Sequence, residues 1–146
     1  MRNFFSINAH YQRSGIVIGV VDMKRVLIVE DEPMLLELLV TIIEEMGCST
    51  TTASTVDDGI ELLGNQAWEI VVTDVRTPGR SDGWDLAWTA YHQWPSLAVI
   101  VTSGGNANFG KPLPPSAVFL AKPWSIEQMT SLVHSRAKGF APSPSR

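Results

Sequence analysis

Three consecutive carboxylates, Glu30, Asp31 and Glu32, directly follow the strand-like stretch of residues 25–29. A solvated loop would hold such a cluster without cost. At the end of a buried strand, however, like charges repel one another and the loss of their hydration is unfavourable. A bound cation would offset both effects. The cluster is therefore a candidate metal site if other parts of the chain supply matching groups.

Matching groups end three other apolar segments. Asp74 ends "EIVVTD", while Thr102 and Ser103 end "AVIVTS". Lys122 follows "VFLA" directly. If these segments are parallel strands of one sheet, their carboxyl ends meet at one edge, where such sheets bind ligands. Carboxylate oxygens suit a hard cation, and Mg²⁺ fits because it takes few protein carboxylates and keeps waters and phosphate oxygens.

Apolar strand-like segments and helical patterns alternate along the chain. This alternation determines where the acids, the hydroxyls and the lysine lie in the fold. Near-continuous apolar runs, typical of parallel strands covered on both faces, predict strands over residues 25–29, 49–53, 70–73, 98–102 and 118–121. Helical spacing and capping residues predict helices over 33–46, from Ser54 or Thr55 onward, over 84–91 and over 125–138. The alternation predicts a doubly wound α/β fold with a five-stranded parallel sheet.

The interval between the fourth and fifth predicted strands breaks this alternation. Residues 104–117, "GGNANFGKPLPPSA", contain three glycines and three prolines. Each proline lacks an amide donor and restricts the residue before it, and the glycines raise the entropy lost on folding. We therefore expect an irregular loop with at most one short turn, so that the helix at this place is missing or degenerate.

Composition excludes several functional classes. The 146-residue chain can form one domain with a sizeable core. Its formal net charge of −4 disfavours nucleic acid and an anionic membrane as partners. The single cysteine, Cys48, excludes an internal disulfide and suits a reducing cytoplasm. No apolar run approaches the ~20 residues of a membrane helix, so a cytoplasmic location is expected.

The strand pattern begins directly after Met23, which sets the expected domain boundaries. Residues 1–22 are interpreted as an N-terminal extension, either a loose arm or an upstream mis-start, with an extra strand as the alternative. Residues 23–139 form the predicted domain. Residues 140–146, "FAPSPSR", are expected to be a flexible tail.

The strand-end motifs "VEDEP", "VVTDVRTPG", "VIVTS" and "LAKPW" occur in one order over residues 24–139. In this combination the segment resembles the response-regulator receiver domain of two-component signalling, in its stand-alone bacterial form. The resemblance implies a flavodoxin-like fold and phosphoryl transfer to an aspartate from a histidine kinase or a histidine phosphotransfer protein. It also implies a downstream protein partner, and no enzymatic activity beyond the domain's own phosphorylation and dephosphorylation.

The resemblance assigns roles to the acids. Asp74 matches the phosphoacceptor, which also contacts Mg²⁺. Asp31 matches the acid that binds the metal directly, and Glu30 the acid that usually binds it through water. The cation would neutralise charge as one anion attacks another, while positioning supplies much of the remaining rate.

The resemblance also covers the fourth and fifth strands. Thr102 and Lys122 match the hydroxyl and amine that contact the phosphoryl group. Phe119 matches the aromatic switch position, which could fill the space left when Thr102 moves inward. A cis peptide bond is expected between Lys122 and Pro123, where the turn must direct the amine across the strand ends and X-Pro bonds adopt cis cheaply.

Three features depart from the family pattern. Arg76, two residues after Asp74, is an unusual charge beside the site and a possible modulator. It would pair with Glu30 or the phosphoryl group, or point to solvent. Thr77 replaces the common methionine, and the segment "PGRSDG" at residues 78–83 is one residue longer than the commonest form.

Three alternative functions remain open from the residues alone. Residues 105–111 fit G-x-x-x-x-G-K of a nucleotide-binding loop, but Pro112 occupies the position of the required Ser or Thr. The sequence "DVRT" resembles the D-x-D-x-T of aspartate-nucleophile phosphatases, but Arg76 occupies the position of the second acid. A phosphorylation-independent adaptor is the third alternative.

Overall fold

Five parallel strands form one sheet in the computed structural model, which describes residues 23–105 and 111–137. The strands are β1 (Lys24–Val29), β2 (Cys48–Ala53), β3 (Ile70–Asp74), β4 (Ala98–Ser103) and β5 (Ala117–Ala121). Their order across the sheet is β2–β1–β3–β4–β5. This confirms the predicted five-stranded α/β fold, with strand ends that differ from the predicted ones by at most one residue.

Within residues 23–105 and 111–137, four helices connect or follow the strands. They are α1 (Pro33–Glu45), α2 (Val56–Leu63), α3 (Gly83–Gln93) and α4 (Ile126–Arg136). The Thr55 hydroxyl caps α2 by accepting the Asp58 amide, and Ser125 forms the predicted capping box with Gln128. In the described part of the chain, no helix is long and apolar enough to cross a membrane. The predicted extension over residues 1–22 and tail over 140–146 lie outside the described residues.

The sheet is covered on both faces, which explains its apolar strands. In β1, Val26 and Ile28 pack with α1 and α4, whereas Leu27 and Val29 pack with α2 and α3. All four side chains are essentially inaccessible to water. Successive residues of a strand point to opposite faces, so a strand between two helical layers must be apolar throughout.

The connection between β4 and β5 contains no helix in its described residues, 104–105 and 111–116. Its central residues, 106–110, lie outside the described part. The indole Nε1 of Trp84 donates to the carbonyl of Lys111 at 2.9 Å, and that of Trp88 to the carbonyl of Pro112 at 3.0 Å. A segment rich in proline has few amides of its own to use, so α3 supplies the donors that hold it.

Candidate functional site

The site lies at the carboxyl ends of the strands, where topology brings four separate segments together. Because β1 and β3 are neighbours, Glu30 follows β1 beside the end of β3. Asp74 is opposite Thr102 in the register of β3 and β4. Lys122 directly follows β5, and the peptide bond between it and Pro123 is cis, as expected.

Three carboxylates form the acidic part of the site. One oxygen each of Glu30, Asp31 and Asp74 lies within 4.8 Å of the others. Glu30 and Asp74 are buried, and Asp31 is exposed. This donor set fits Mg²⁺, because hard oxygen ligands converge from the protein side while the exposed side leaves room for waters or phosphate oxygens.

Lys122 connects two of these acids. Its Nζ lies 3.1 Å from Glu30 Oε1 and 3.2 Å from Asp74 Oδ2. Burial would by itself lower the pKa of Lys122. The charges of Asp74 and then Glu30, with their hydrogen bonds, outweigh burial and hold the pKa above its ordinary value. The amine is therefore a fixed positive charge that is directed at Asp74.

Glu30 is held in a single orientation. Its Oε1 accepts from Lys122, and its Oε2 accepts the Glu32 amide at 3.1 Å. Burial is the largest influence on Glu30 and raises its pKa above the ordinary value, with the Asp74 charge acting in the same direction. An ion pair alone would lower the pKa of the acid, so here burial and the Asp74 charge together outweigh the combined effect of Lys122 and the Glu32 amide.

Each carboxylate oxygen of Asp74 faces a different donor. Oδ2 accepts from Lys122 Nζ, and Oδ1 accepts the Arg76 amide in a long hydrogen bond of 3.4 Å. Arg76 itself is exposed. The backbone two residues after Asp74 thus helps to orient its carboxylate.

The two predicted switch positions lie on adjacent strands. Thr102 is 2% exposed and is the second-last residue of β4, directly opposite Asp74. Phe119 is half-buried, packs against the core on the α2 and α3 face, and lies opposite Val101. The structure therefore brings Thr102 to the site and places Phe119 one register position before it.

Thr77 makes a contact that sequence reasoning missed. Its hydroxyl accepts the amide of Val56, the first residue of α2, at 2.7 Å. The signal was present in the sequence, because Thr77 places a hydroxyl where the resemblance described above implies methionine. A threonine hydroxyl can accept an orphan amide at a helix start, whereas the thioether of methionine is only a weak acceptor.

Asp57 makes the second missed contact. Its Oδ2 accepts the amide of Arg80 and its Oδ1 that of Ser81, both at 3.0 Å. These bonds lower the pKa of Asp57, with that from Arg80 as the largest cause. Gly79 lies between Thr77 and Arg80, and its φ is +121°. A Cβ atom at this position would collide with the Asp57 carboxylate. The loop after Asp74 therefore closes onto α2.

Comparison with known sequences identifies one family. Residues 26–134 match the family model described as "Response regulator receiver domain". The response regulator protein PilR of Pseudomonas aeruginosa is 32% identical over 113 residues, which are 75% of this chain and 25% of the relative. The sensor protein GacS of Pseudomonas syringae is 31% identical over 117 residues, which are 75% of this chain and 13% of the relative. The chain thus spans a small part of either relative.

Comparison with solved structures agrees. A response regulator receiver protein from Sinorhizobium medicae superposes with a TM-score of 0.75 at 27% identity, over 80% of this chain and 95% of that chain. The response regulator TrrA of Thermotoga maritima, crystallised with Mg²⁺ and BeF, superposes with a TM-score of 0.70 over 77% of this chain and 98% of that chain. Its 22% identity shows a shared fold alone.

Proposed function

Because this chain belongs to the response regulator receiver family and is a receiver domain of two-component signalling, we propose that Asp74 is its phosphoacceptor and that Glu30, Asp31 and Asp74 hold Mg²⁺. The observation that carries the proposal is the position of Lys122, whose amine bridges Glu30 and Asp74 at 3.1 and 3.2 Å. The Mg²⁺–BeF complex of TrrA, a protein of the same fold, supports the choice of metal.

The proposed reaction transfers a phosphoryl group onto a carboxylate. An oxygen of Asp74 forms a bond to phosphorus, the bond from phosphorus to the donor imidazole breaks, and the imidazole leaves with its electron pair. Lys122 binds the phosphoryl oxygens as their charge redistributes, and the Thr102 hydroxyl donates to one of them in the product. Bound Mg²⁺ would supply additional neutralisation of charge. When Thr102 moves inward to make this bond, Phe119 fills the space that Thr102 leaves and so acts as the switch residue.

The partners follow from this chemistry. The donor is the phosphohistidine of a histidine kinase or a histidine phosphotransfer protein, and a downstream protein reads the phosphorylated state. The chain has no separate substrate, since its catalysis is limited to its own Asp74. The domain comprises residues 23–139 and acts in the cytoplasm, which agrees with the free, buried thiol of Cys48.

The alternative functions lack comparable support. A nucleotide-binding loop needs a helix after its lysine, whereas the described residues 111–116 contain none and Trp84 binds the Lys111 carbonyl. A phosphatase of the aspartate-nucleophile type needs an acid at Arg76. An adaptor that is never phosphorylated would have no use for two buried acids paired with Lys122, which are costly to desolvate.

Intact-mass measurement after incubation with acetyl phosphate tests the proposal. The wild-type protein should gain one phosphoryl group with Mg²⁺ and none after chelation of the metal. Asp74→Asn should gain none under either condition, while a far-UV circular dichroism spectrum checks that it is folded. Equal labelling of both proteins would assign the phosphate to another residue and reject Asp74.

A further inference from the structure

We infer that Asp57 and Thr77 are positioning residues for phosphoryl transfer, because they fasten the loop that follows Asp74 to the start of α2. This loop, residues 75–82, is called the β3–α3 loop. The three hydrogen bonds that join it to α2, one at Thr77 and two at Asp57, are called the loop latch. The inference rests on the proposed role of Asp74. It adds two residues outside the acid, hydroxyl and lysine set.

The first part of the loop latch is at Thr77. Its hydroxyl oxygen lies 2.7 Å from the amide nitrogen of Val56, the shortest of the three distances in the loop latch. Because the first amides of a helix have no partner within the helix, this bond satisfies a donor that would otherwise need water. The residue next to Thr77 is Arg76, so the bond fixes the backbone immediately beside the Arg76 amide.

The second part of the loop latch is at Asp57. A single carboxylate accepts two successive amides, those of Arg80 and Ser81, one with each oxygen. Hydrogen bonds to an ionised acceptor are stronger than neutral ones. Gly79, directly before Arg80, adopts a positive φ that other residues rarely adopt, and a Cβ atom there would collide with the Asp57 carboxylate.

Both ends of the β3–α3 loop are fixed to the site itself. The Val75 amide donates to the Thr102 carbonyl at 2.9 Å, and the Gly83 amide donates to the Val75 carbonyl at 2.8 Å. A Cβ atom at Gly83 would lie only 2.8 Å from the Asp74 carbonyl oxygen. The loop therefore leaves and returns beside Asp74, and the loop latch determines the path between these two points.

The chemical consequence acts through Arg76. Its amide is the donor to Asp74 Oδ1, while Lys122 occupies Oδ2. If the loop latch is opened, the Arg76 amide is free to move and the Asp74 carboxylate can rotate away from the direction of attack. Misplacement of a reacting group by about 1 Å can cost about a hundredfold in rate, so opening the latch should slow labelling by about ten- to a hundredfold.

Two pairs of variants separate this role from a general effect on stability. Asp57→Ala and Asp58→Ala both remove an acid from the first turn of α2, but only the Asp57 carboxylate accepts amides of the loop. Thr77→Val removes the acceptor with little change of shape, whereas Thr77→Ser keeps it.

Three measurements are made on each full-length variant: the rate of acetyl phosphate labelling with Mg²⁺, the urea midpoint, and the amide exchange rate of Arg76 by NMR. We expect Asp57→Ala and Thr77→Val to label about ten- to a hundredfold more slowly and to exchange the Arg76 amide faster than wild type. Asp58→Ala and Thr77→Ser should retain wild-type values for both, whatever their urea midpoints.

The outcomes distinguish this inference from the proposed function. If wild type is labelled and Asp57→Ala labels as fast as Asp58→Ala, with equal exchange at Arg76, the inference is wrong and the role of Asp74 stands. If labelling falls in all variants in proportion to their loss of stability, a merely structural role is shown and the inference is also rejected. If wild type is not labelled at all, the proposed function fails, and the role of the latch in transfer fails with it.

Discussion

Lys122 neutralises the charge of two buried carboxylates. Its replacement by methionine should therefore lower the free energy of unfolding, by an amount that follows from the burial of the three side chains. Glu30 and the side chain of Asp74 are 1% and 11% exposed, and the Lys122 side chain is 20% exposed. Removing one partner of a buried ion pair costs about 3–5 kcal/mol. Because Lys122 keeps a fifth of its surface in water, we expect the lower end, about 3 kcal/mol at neutral pH without Mg²⁺.

The sign of the pH dependence follows from Glu30, whose pKa is raised in the folded protein. The folded state binds this proton more tightly than the unfolded state, so ionisation of Glu30 costs stability above the folded pKa. Loss of Lys122 removes one influence that lowers that pKa, which makes the cost larger. Acidification protonates Glu30 and removes the cost. The deficit of Lys122→Met relative to wild type should therefore shrink as the pH falls from about 8 toward about 5.

Urea unfolding at several pH values measures this deficit as a change in midpoint at constant slope. Lys111→Met is the matched control, because Lys111 is an exposed lysine in the described part of the chain, and it should stay within about 0.5 kcal/mol of wild type. Saturating Mg²⁺ should stabilise Lys122→Met more than wild type, since the metal then compensates the same carboxylates. A deficit below about 0.5 kcal/mol, or one that does not change with pH, would refute the reasoning.

Three further predictions concern the metal site, the β4–β5 connection and the buried thiol. Asp31→Asn should weaken Mg²⁺ binding more than Glu30→Gln does, as followed by tryptophan fluorescence; equal binding by Asp31→Asn and wild type would contradict this ranking. Trp84→Phe should cost about 1–3 kcal/mol in urea unfolding, because it removes a partly buried hydrogen bond and core volume, whereas an unchanged midpoint would show that the indole does not hold Lys111. Burial raises the pKa of Cys48 from 9.0 to about 11. Its thiol should therefore react about a hundredfold more slowly at pH 8 in the folded than in the urea-unfolded protein, as measured with a chromogenic disulfide; equal rates would refute this.

The residues that meet at the carboxyl edge of the sheet were predictable from the sequence, because all strands of a parallel sheet end at the same edge. Once β3 and β4 were recognised by their apolar runs, Asp74 and Thr102 had to be neighbours, and the register pairs them. The helix starts were also predictable where capping is local, as for Ser125 and Gln128. The start of α3 was placed one residue late, at Trp84, because the capping pair of Asp82 and Asp85 was not recognised.

The Asp57 part of the loop latch was not predictable in the same way. Asp57 and Ser81 are separated by 24 residues, and their contact depends on how α2 and α3 pack side by side. An acid in the first turn of a helix has a sufficient local explanation in the helix dipole, so nothing in the sequence required a second role. The indole hydrogen bonds of α3 were hidden for a related reason, since a buried tryptophan at helical spacing is already explained by core packing.

α3 is the element that joins the site to the β4–β5 connection. At its first residue, Gly83 packs so closely on Asp74 and Val75 that no side-chain atom would fit. Trp84, the second residue of α3, and Trp88, one turn later, hold two successive carbonyls of the proline-rich segment. A helix moves as a rigid unit and closely packed contacts do not deform continuously. Because α3 contacts both places, we expect a displacement of the Asp74 backbone to change the contacts that α3 makes with the segment before β5.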